Sequence, residues 1–126
     1  MAETILNQSG LNFEICEDQM VVLSNEVEAT ELVIIVTKTQ SCPYFVVGGT
    51  ITYCTTIENQ SEIPLEDLKW FDNLDQRLTY VEDSFLVDGT QQTPTIDGQE
   101  LSFNIDTIDI NQTITICFKV QVGATV

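Results

Sequence analysis

Histidine is absent from this chain of 126 residues. It is the commonest general base, a frequent activator of nucleophiles and the commonest transition-metal ligand. Its absence excludes most of the sets of catalytic residues found in familiar hydrolases. Catalysis by carboxylates alone remains possible. The sequence therefore predicts a protein that is not an enzyme, with no cofactor and no metal site.

Basic residues are scarce as well. Four lysines and arginines stand against twenty aspartates and glutamates, which gives a net charge of −16. Such a polyanion repels phosphate backbones and anionic lipid headgroups, so we expect neither nucleic-acid nor membrane partners. Solubility explains the acidic residues most simply. A calcium site with oxygen ligands from residues 72–75 or 104–111 is the alternative.

Long apolar runs are also missing. No segment approaches the ~18–20 apolar residues that span a bilayer. Residues 1–8 lack the basic and apolar regions of a secretory signal. Either a signal was removed before residue 1, or the protein leaves its cell by a route other than ordinary secretion.

Isoleucine, valine and threonine are abundant, and their β-branched side chains fit pleated strands. Residues 50–58 and 113–122 alternate with period two, which predicts strands with one buried and one solvent-facing side. The predicted buried residues are Ile51, Tyr53, Thr55, Ile57, Ile114, Ile116, Phe118, Val120 and Val122.

Shorter candidate strands at residues 67–71, 78–81, 84–87 and 101–105 are separated by turn sequences such as Asp88-Gly89. Residues 32–39 form another β-branched stretch. Short strands with frequent turns predict an all-β antiparallel sandwich over residues 31–126. An N-terminal extension over residues 1–30 precedes it.

A series of short motifs runs in order along residues 32–122: Val36–Thr39, Val47–Tyr53, Ile57–Asn59, Pro64–Leu68, Phe71–Asp72, Leu78–Val81, Leu101–Phe103 and Thr113–Ile116. The series resembles the bacterial surface-repeat domain called domain of unknown function 11. This resemblance implies an immunoglobulin-like sandwich in surface or secreted structural proteins, commonly in tandem and without catalysis. The single copy, the four cysteines and the extension depart from the family pattern and suggest that subunits join non-covalently or through cysteine.

The four cysteines are Cys16, Cys42, Cys54 and Cys117. Strand phase places Cys54 and Cys117 on polar faces, within reach of partners. Three interpretations are open. All four cysteines are reduced thiols without a role, or two of them, such as Cys54 and Cys117, form an intramolecular pair if their strands are neighbours. In the third interpretation the cysteines form cross-links between subunits. We favour inter-subunit disulfides that join Cys16 and Cys42 of one copy to the strand thiols of the next. Zinc is disfavoured, because the spacings contain no Cys-x2–4-Cys pair.

Within the extension, Leu11, Phe13 and Ile15 alternate with strand period. An extended segment of this kind can add to the exposed sheet edge of a neighbouring subunit, so we expect a docking arm. An extra strand of the chain's own sandwich is the equally favoured alternative. Docking from copy to copy without closure generates a filament.

Lys38, Asn59 and Asp72 occupy the positions where the family-like pattern places Lys, Asn and Asp. In Gram-positive surface domains a buried Lys beside an Asn forms an intramolecular isopeptide bond, assisted by an acid. These three are therefore candidate isopeptide residues. A solvated Lys with Asn and Asp in turns is the simpler alternative.

The leading functional hypothesis is a self-assembling structural subunit of an extracellular or spore-surface fibre, whose partner is itself. The alternative is a surface adhesin or binding module that acts as a soluble monomer and contacts other surface proteins. An enzyme that uses two carboxylates, as in glycoside hydrolysis, is the least favoured hypothesis.

Overall fold

The computed structural model describes residues 3–123. They form eleven strands and no helix, which confirms the all-β prediction. It also follows that none of these residues belongs to a helix long and apolar enough to cross a membrane. The strands are β1 (Thr4–Ile15), β2 (Asp18–Thr30), β3 (Ile34–Gln40), β4 (Thr50–Asn59), β5 (Leu65–Asn73), β6 (Leu78–Tyr80), β7 (Leu86–Val87), β8 (Thr90–Gln91), β9 (Thr95–Asp97), β10 (Glu100–Ile108) and β11 (Thr113–Val122).

The chain divides into two compact units, Met1–Leu32 and Val33–Val126. The predicted boundary between residues 30 and 31 lies close to this division. The first unit holds β1 and β2, which pair with each other in a two-stranded sheet of their own. The second unit holds all the other strands.

The first unit is a long antiparallel hairpin, paired from Thr4↔Thr30 to Ile15↔Asp18. Its tip consists of Cys16 and Glu17, which have φ values of +49° and +74°. Positive φ at both central residues is the requirement of a type I′ hairpin turn, even though Asn-Gly or Asp-Gly usually fills it. The predicted extended arm is therefore two strands rather than one, and the acidic stretch 26–31 belongs largely to β2.

The second unit contains two antiparallel sheets. The larger has six strands in the order β3-β4-β11-β7-β8, with β6 also paired to β11. The smaller has the order β5-β10-β9. Together they form a sandwich-like arrangement, as the sequence predicts.

The core lies between these two sheets. Trp70 of the smaller sheet contacts Phe118 of the larger one with ring centroids 5.8 Å apart, and Phe85 packs 5.4 Å from Trp70. The remaining buried apolar residues are Ile51, Ile57, Leu101, Ile105, Ile108, Ile114, Ile116, Val120 and Val122. The predicted phase of β4 and β11 is confirmed, because their inward residues alternate with residues that are exposed or half-buried.

Candidate functional site

One face of the N-terminal hairpin is apolar. Directly opposed residues of two strands share a face, and the opposed pairs Leu11↔Val22 and Phe13↔Met20 lie on the same side of the ribbon. Since side chains alternate along β1, Ile5, Ile15 and their neighbours on β2 extend this side. We call it the apolar face. Its apolar residues are Ile5, Leu11, Phe13, Ile15, Met20, Val22, Val27 and Ala29, and the polar residues Asn7 and Asp18 lie on the same side.

A β-bulge keeps this face continuous. The register passes from Gln8↔Glu26 to Gly10↔Leu23, so β2 contains one residue more than β1 at this point. In a regular ladder without the bulge, the β2 residues beyond it would face the other way. The bulge therefore keeps Val27 on the apolar face and directs Glu26 and Glu28 to the opposite one.

The apolar face is exposed. Every residue of β1 and β2 is exposed, and the large side chains of the face range from 37% for Phe13 to 71% for Ile5. A two-stranded hairpin alone in water is marginally stable at best. Contiguous apolar patches of this kind mark interaction surfaces in soluble proteins. The hairpin therefore has the character of a segment that is stabilised by contact with a partner.

The hairpin unit carries charge of one sign only. Residues 1–32 contain seven acidic residues and no lysine or arginine. Of these, Glu14, Glu26 and Glu28 lie on the face opposite the apolar one. The ribbon is therefore amphipathic, although Leu6, Val21 and Leu23 lie on the acidic face and are exposed there.

The second unit presents an apolar edge of its own. Strand β3 ends the order of the larger sheet, so one side of its backbone faces away from β4. Its residues Ile34, Ile35 and Val36 are between 44% and 62% exposed. An exposed edge with apolar side chains is a template for pairing with another strand.

The loop that follows β3 is apolar and exposed as well. In residues 41–49 the side chains of Tyr44 and Val46 are 82% and 77% exposed, and those of Phe45 and Val47 more than half exposed. The end of the loop is fixed, because the Gly48 N–H donates a 2.7 Å hydrogen bond to the carbonyl of Val122. We call β3 and this loop together the edge surface (residues 34–47). Its exposed apolar side chains lie at residues 34–36 and 44–47, on either side of the polar stretch 37–41.

The cysteines do not pair as the sequence favours. Cys54 and Cys117 are opposed in the register of β4 and β11, with Cα atoms 4.1 Å apart, and form a disulfide within the chain. This corrects the expectation that they bond to another subunit, because each strand thiol already has a partner. The outward phase predicted for both is right, since both are half-buried on the outer side of the larger sheet. Cys16 and Cys42 are free and exposed.

The three candidate isopeptide residues do not converge. The Lys38 ammonium forms a 2.6 Å ion pair with Asp72 and lies 4.5 Å from the centre of the Tyr53 ring. Lys38 pairs with Thr55 in the sheet, whereas Asn59 pairs with Ile34 at the far end of β3. The Lys38 side chain is 44% exposed, so it is not the buried lysine that an isopeptide bond requires. The geometry therefore does not support the candidate Lys38–Asn59 bond and agrees with the simpler alternative of a solvated lysine.

The side chain of Asn59 has a structural role instead, because it forms hydrogen bonds to the backbone. Its side chain is fully buried. The amide donates hydrogen bonds to the carbonyls of Ile63 and Ile108, and its oxygen accepts one from the Ser61 N–H. The residue thus satisfies three backbone groups at the ends of β4 and β10.

No three His, Cys, Asp or Glu residues within 3–123 come together as a metal site. A cavity of about 230 Å³ opens beside Phe45, Tyr53 and Arg77. It is smaller than the ~300–1,000 Å³ of ordinary small-molecule sites. Hydrogen bonds from the side chain and backbone of Arg77 lower the pKa of Asp75 to about 2, so this guanidinium already has a carboxylate partner.

Comparison with protein-family models, with curated proteins and with solved structures finds no match. The resemblance to the bacterial surface-repeat domain therefore stays a prediction from the sequence motifs.

Proposed function

We propose that this protein is a structural subunit that assembles with further copies of itself into a fibre, located outside the cell or on a spore surface. Each copy contributes its hairpin to one neighbour and receives the hairpin of another. Its second unit is proposed to be an immunoglobulin-like sandwich that serves as the rigid body of the fibre. No catalysis is involved.

The observation that carries this proposal is the exposed apolar face of the hairpin. A ribbon with one face of large apolar side chains gains free energy when that face leaves water, by about 25 cal/mol per Å² of apolar surface. The ribbon's own acidic face does not provide that burial. A neighbouring copy offers a suitable surface, because its edge surface is apolar and carries an open strand edge.

The geometry of the two surfaces favours a chain of copies over a closed pair. The hairpin and the edge surface are different parts of the molecule, so a contact between them is heterologous and leaves one of each free at the two ends. Repetition of such a contact extends the assembly. This supports a filament, although a rotation that closes would give a ring from the same contact.

Two leucines allow a matched test of the proposal. Leu11 lies on the apolar face, and Leu23, which pairs with Gly10, lies on the opposite one. The two are 63% and 61% exposed. We expect Leu11→Asp to abolish filaments in electron micrographs and to shift the pelleted protein to the soluble fraction.

The control is Leu23→Asp, which adds the same charge to the same ribbon. It should still form filaments, because the face opposite the apolar one remains in solvent. Equal loss of assembly in both variants would show that added charge matters and the apolar face does not. Unimpaired assembly of Leu11→Asp would refute the proposed role of the face.

A further inference from the structure

Two thiols remain after the internal disulfide is formed, and each unit of the chain carries one of them. Cys16 lies in the turn at the tip of the hairpin, between β1 and β2. Cys42 lies in the loop after β3, next to Pro43. Both are exposed.

The internal disulfide bears on the state of these two thiols. Disulfides persist in oxidising surroundings and are rare where thiols are kept reduced. A protein that holds the Cys54–Cys117 bond is therefore suited to conditions in which exposed thiols are oxidised too. Neither unit can pair its own free thiol internally, because each has a single one.

Each free thiol lies within one of the two apolar surfaces. Cys16 directly follows Ile15, at the end of the apolar face. Cys42 lies within the edge surface, between the exposed residues of β3 and the exposed aromatic residues Tyr44 and Phe45. Docking of one surface on the other brings the two thiols into the same contact region. Held there, they react at an effective concentration in the millimolar range or above.

We propose that Cys16 of one copy forms a disulfide with Cys42 of the next copy and so locks the fibre covalently. This inference rests on the proposed function, since hairpin docking supplies the proximity. Each copy has one thiol of each kind, so it makes two such bonds, one at each end. A linear covalent polymer results, rather than a branched network.

The oxidant is a low-molecular-weight disulfide such as glutathione disulfide. The Cys16 thiolate attacks it, forms a mixed disulfide and releases one glutathione thiolate. The Cys42 thiolate of the neighbouring copy then attacks the Cys16 sulfur and releases the second. Two protein thiols are oxidised, one glutathione disulfide is reduced to two thiols, and the two protons pass to the released glutathione.

Complementary single variants test this pairing. Cys16→Ser keeps Cys42, and Cys42→Ser keeps Cys16, while both retain the internal disulfide. After treatment with glutathione disulfide, the wild type should give a ladder of oligomers on a non-reducing gel. Each variant alone should stay at the position of one chain, and an equimolar mixture should give a covalent dimer and nothing larger.

Mass spectrometry identifies the bond in that dimer. Chymotrypsin cleaves after Tyr44, Phe45 and Tyr53 and so separates Cys42 from Cys54. The expected product is a peptide containing Cys16 joined to a peptide containing Cys42. Dimers formed as readily by either variant alone would overturn the pairing, as would a wild type that stays monomeric with Cys16 and Cys42 joined inside one chain.

Electron microscopy of the Cys16→Ser/Cys42→Ser double variant separates this inference from the proposed function. Filaments of the double variant, together with the mixed dimer of the single variants, support both. Filaments without any mixed dimer leave the structural function standing and refute the cross-link. Absence of filaments from the double variant and from the reduced wild type refutes the docking on which the cross-link rests.

Discussion

Asn59 connects three backbone groups through one buried side chain. The carbonyl of Ile108 and the N–H of Ser61 form buried hydrogen bonds to this amide, and the carbonyl of Ile63 forms a partly buried one. Ser61 in turn bonds to Val33 through both its hydroxyl donor and its hydroxyl acceptor. Asn59, which the sequence offered as a candidate for isopeptide chemistry, thus has a structural role where the second unit begins.

Replacement of Asn59 by alanine should destabilise the second unit. The change leaves two buried backbone groups and one partly buried group without partners, and each buried group costs roughly 1–3 kcal/mol. We expect the free energy of unfolding to fall by about 2–4 kcal/mol in urea denaturation. Asn104→Ala is the control, since Asn104 is exposed on β10 and should change stability by less than about 0.5 kcal/mol. Equal effects of the two substitutions would contradict this account.

At the scale of elements, β4 and β11 are joined both by their ladder and by the Cys54–Cys117 bond. The two cysteines are 63 residues apart in sequence, so the bond closes a long loop in the unfolded chain. A disulfide of this span restricts the unfolded state strongly in the chain-entropy treatment. It therefore strengthens the contact between the two central strands of the larger sheet.

Removal of this bond should lower stability without changing the fold. In a background that lacks Cys16 and Cys42, the double replacement Cys54→Ala and Cys117→Ala should reduce the free energy of unfolding by up to about 4 kcal/mol. Urea denaturation measures the loss, and far-UV circular dichroism checks that the β content is retained. A midpoint that does not move would show that the disulfide contributes nothing to stability.

The strands of the second unit were largely predictable from the sequence, and the hairpin was not. In β11 every second residue is large and apolar, and in β4 the same holds for Ile51, Tyr53 and Ile57 but not for Thr55, so the pattern alone indicates which side is buried. In β2 the apolar run of residues 20–23 and the acidic residues after it hide the alternation, because a bulge shifts the phase between them. The turn at Cys16 and Glu17 has no glycine or asparagine to reveal it.

The pairing of the cysteines could not be predicted from the sequence, for a different reason. Strand phase correctly placed Cys54 and Cys117 on outward faces, but phase says nothing about register. Only the ladder shows that these two residues lie opposite each other, which makes the intramolecular bond the natural one. Only Cys16 and Cys42, which lie outside this ladder, therefore remain as candidates for cross-links between copies.

At the scale of the whole molecule, charge opposes the assembly that the apolar surfaces favour. Each copy carries a net charge of −16, so neighbouring copies repel one another. Added salt shortens the distance over which this repulsion acts, from about 30 Å at 0.01 M to about 8 Å at 0.15 M. We expect the concentration of protein that remains soluble at equilibrium to fall over this range. A rise with added salt would indicate that ion pairs rather than apolar contacts hold the copies together.

Sedimentation velocity of the reduced protein tests the central claim most directly, because it measures non-covalent association alone. We predict that the full chain sediments as a broad distribution of large species that grows with concentration. A chain of residues 33–126, which keeps the whole core but lacks the hairpin, should sediment as one monomeric species. A full chain that sediments as a monomer at every concentration, or a truncated chain that assembles equally well, would contradict the account.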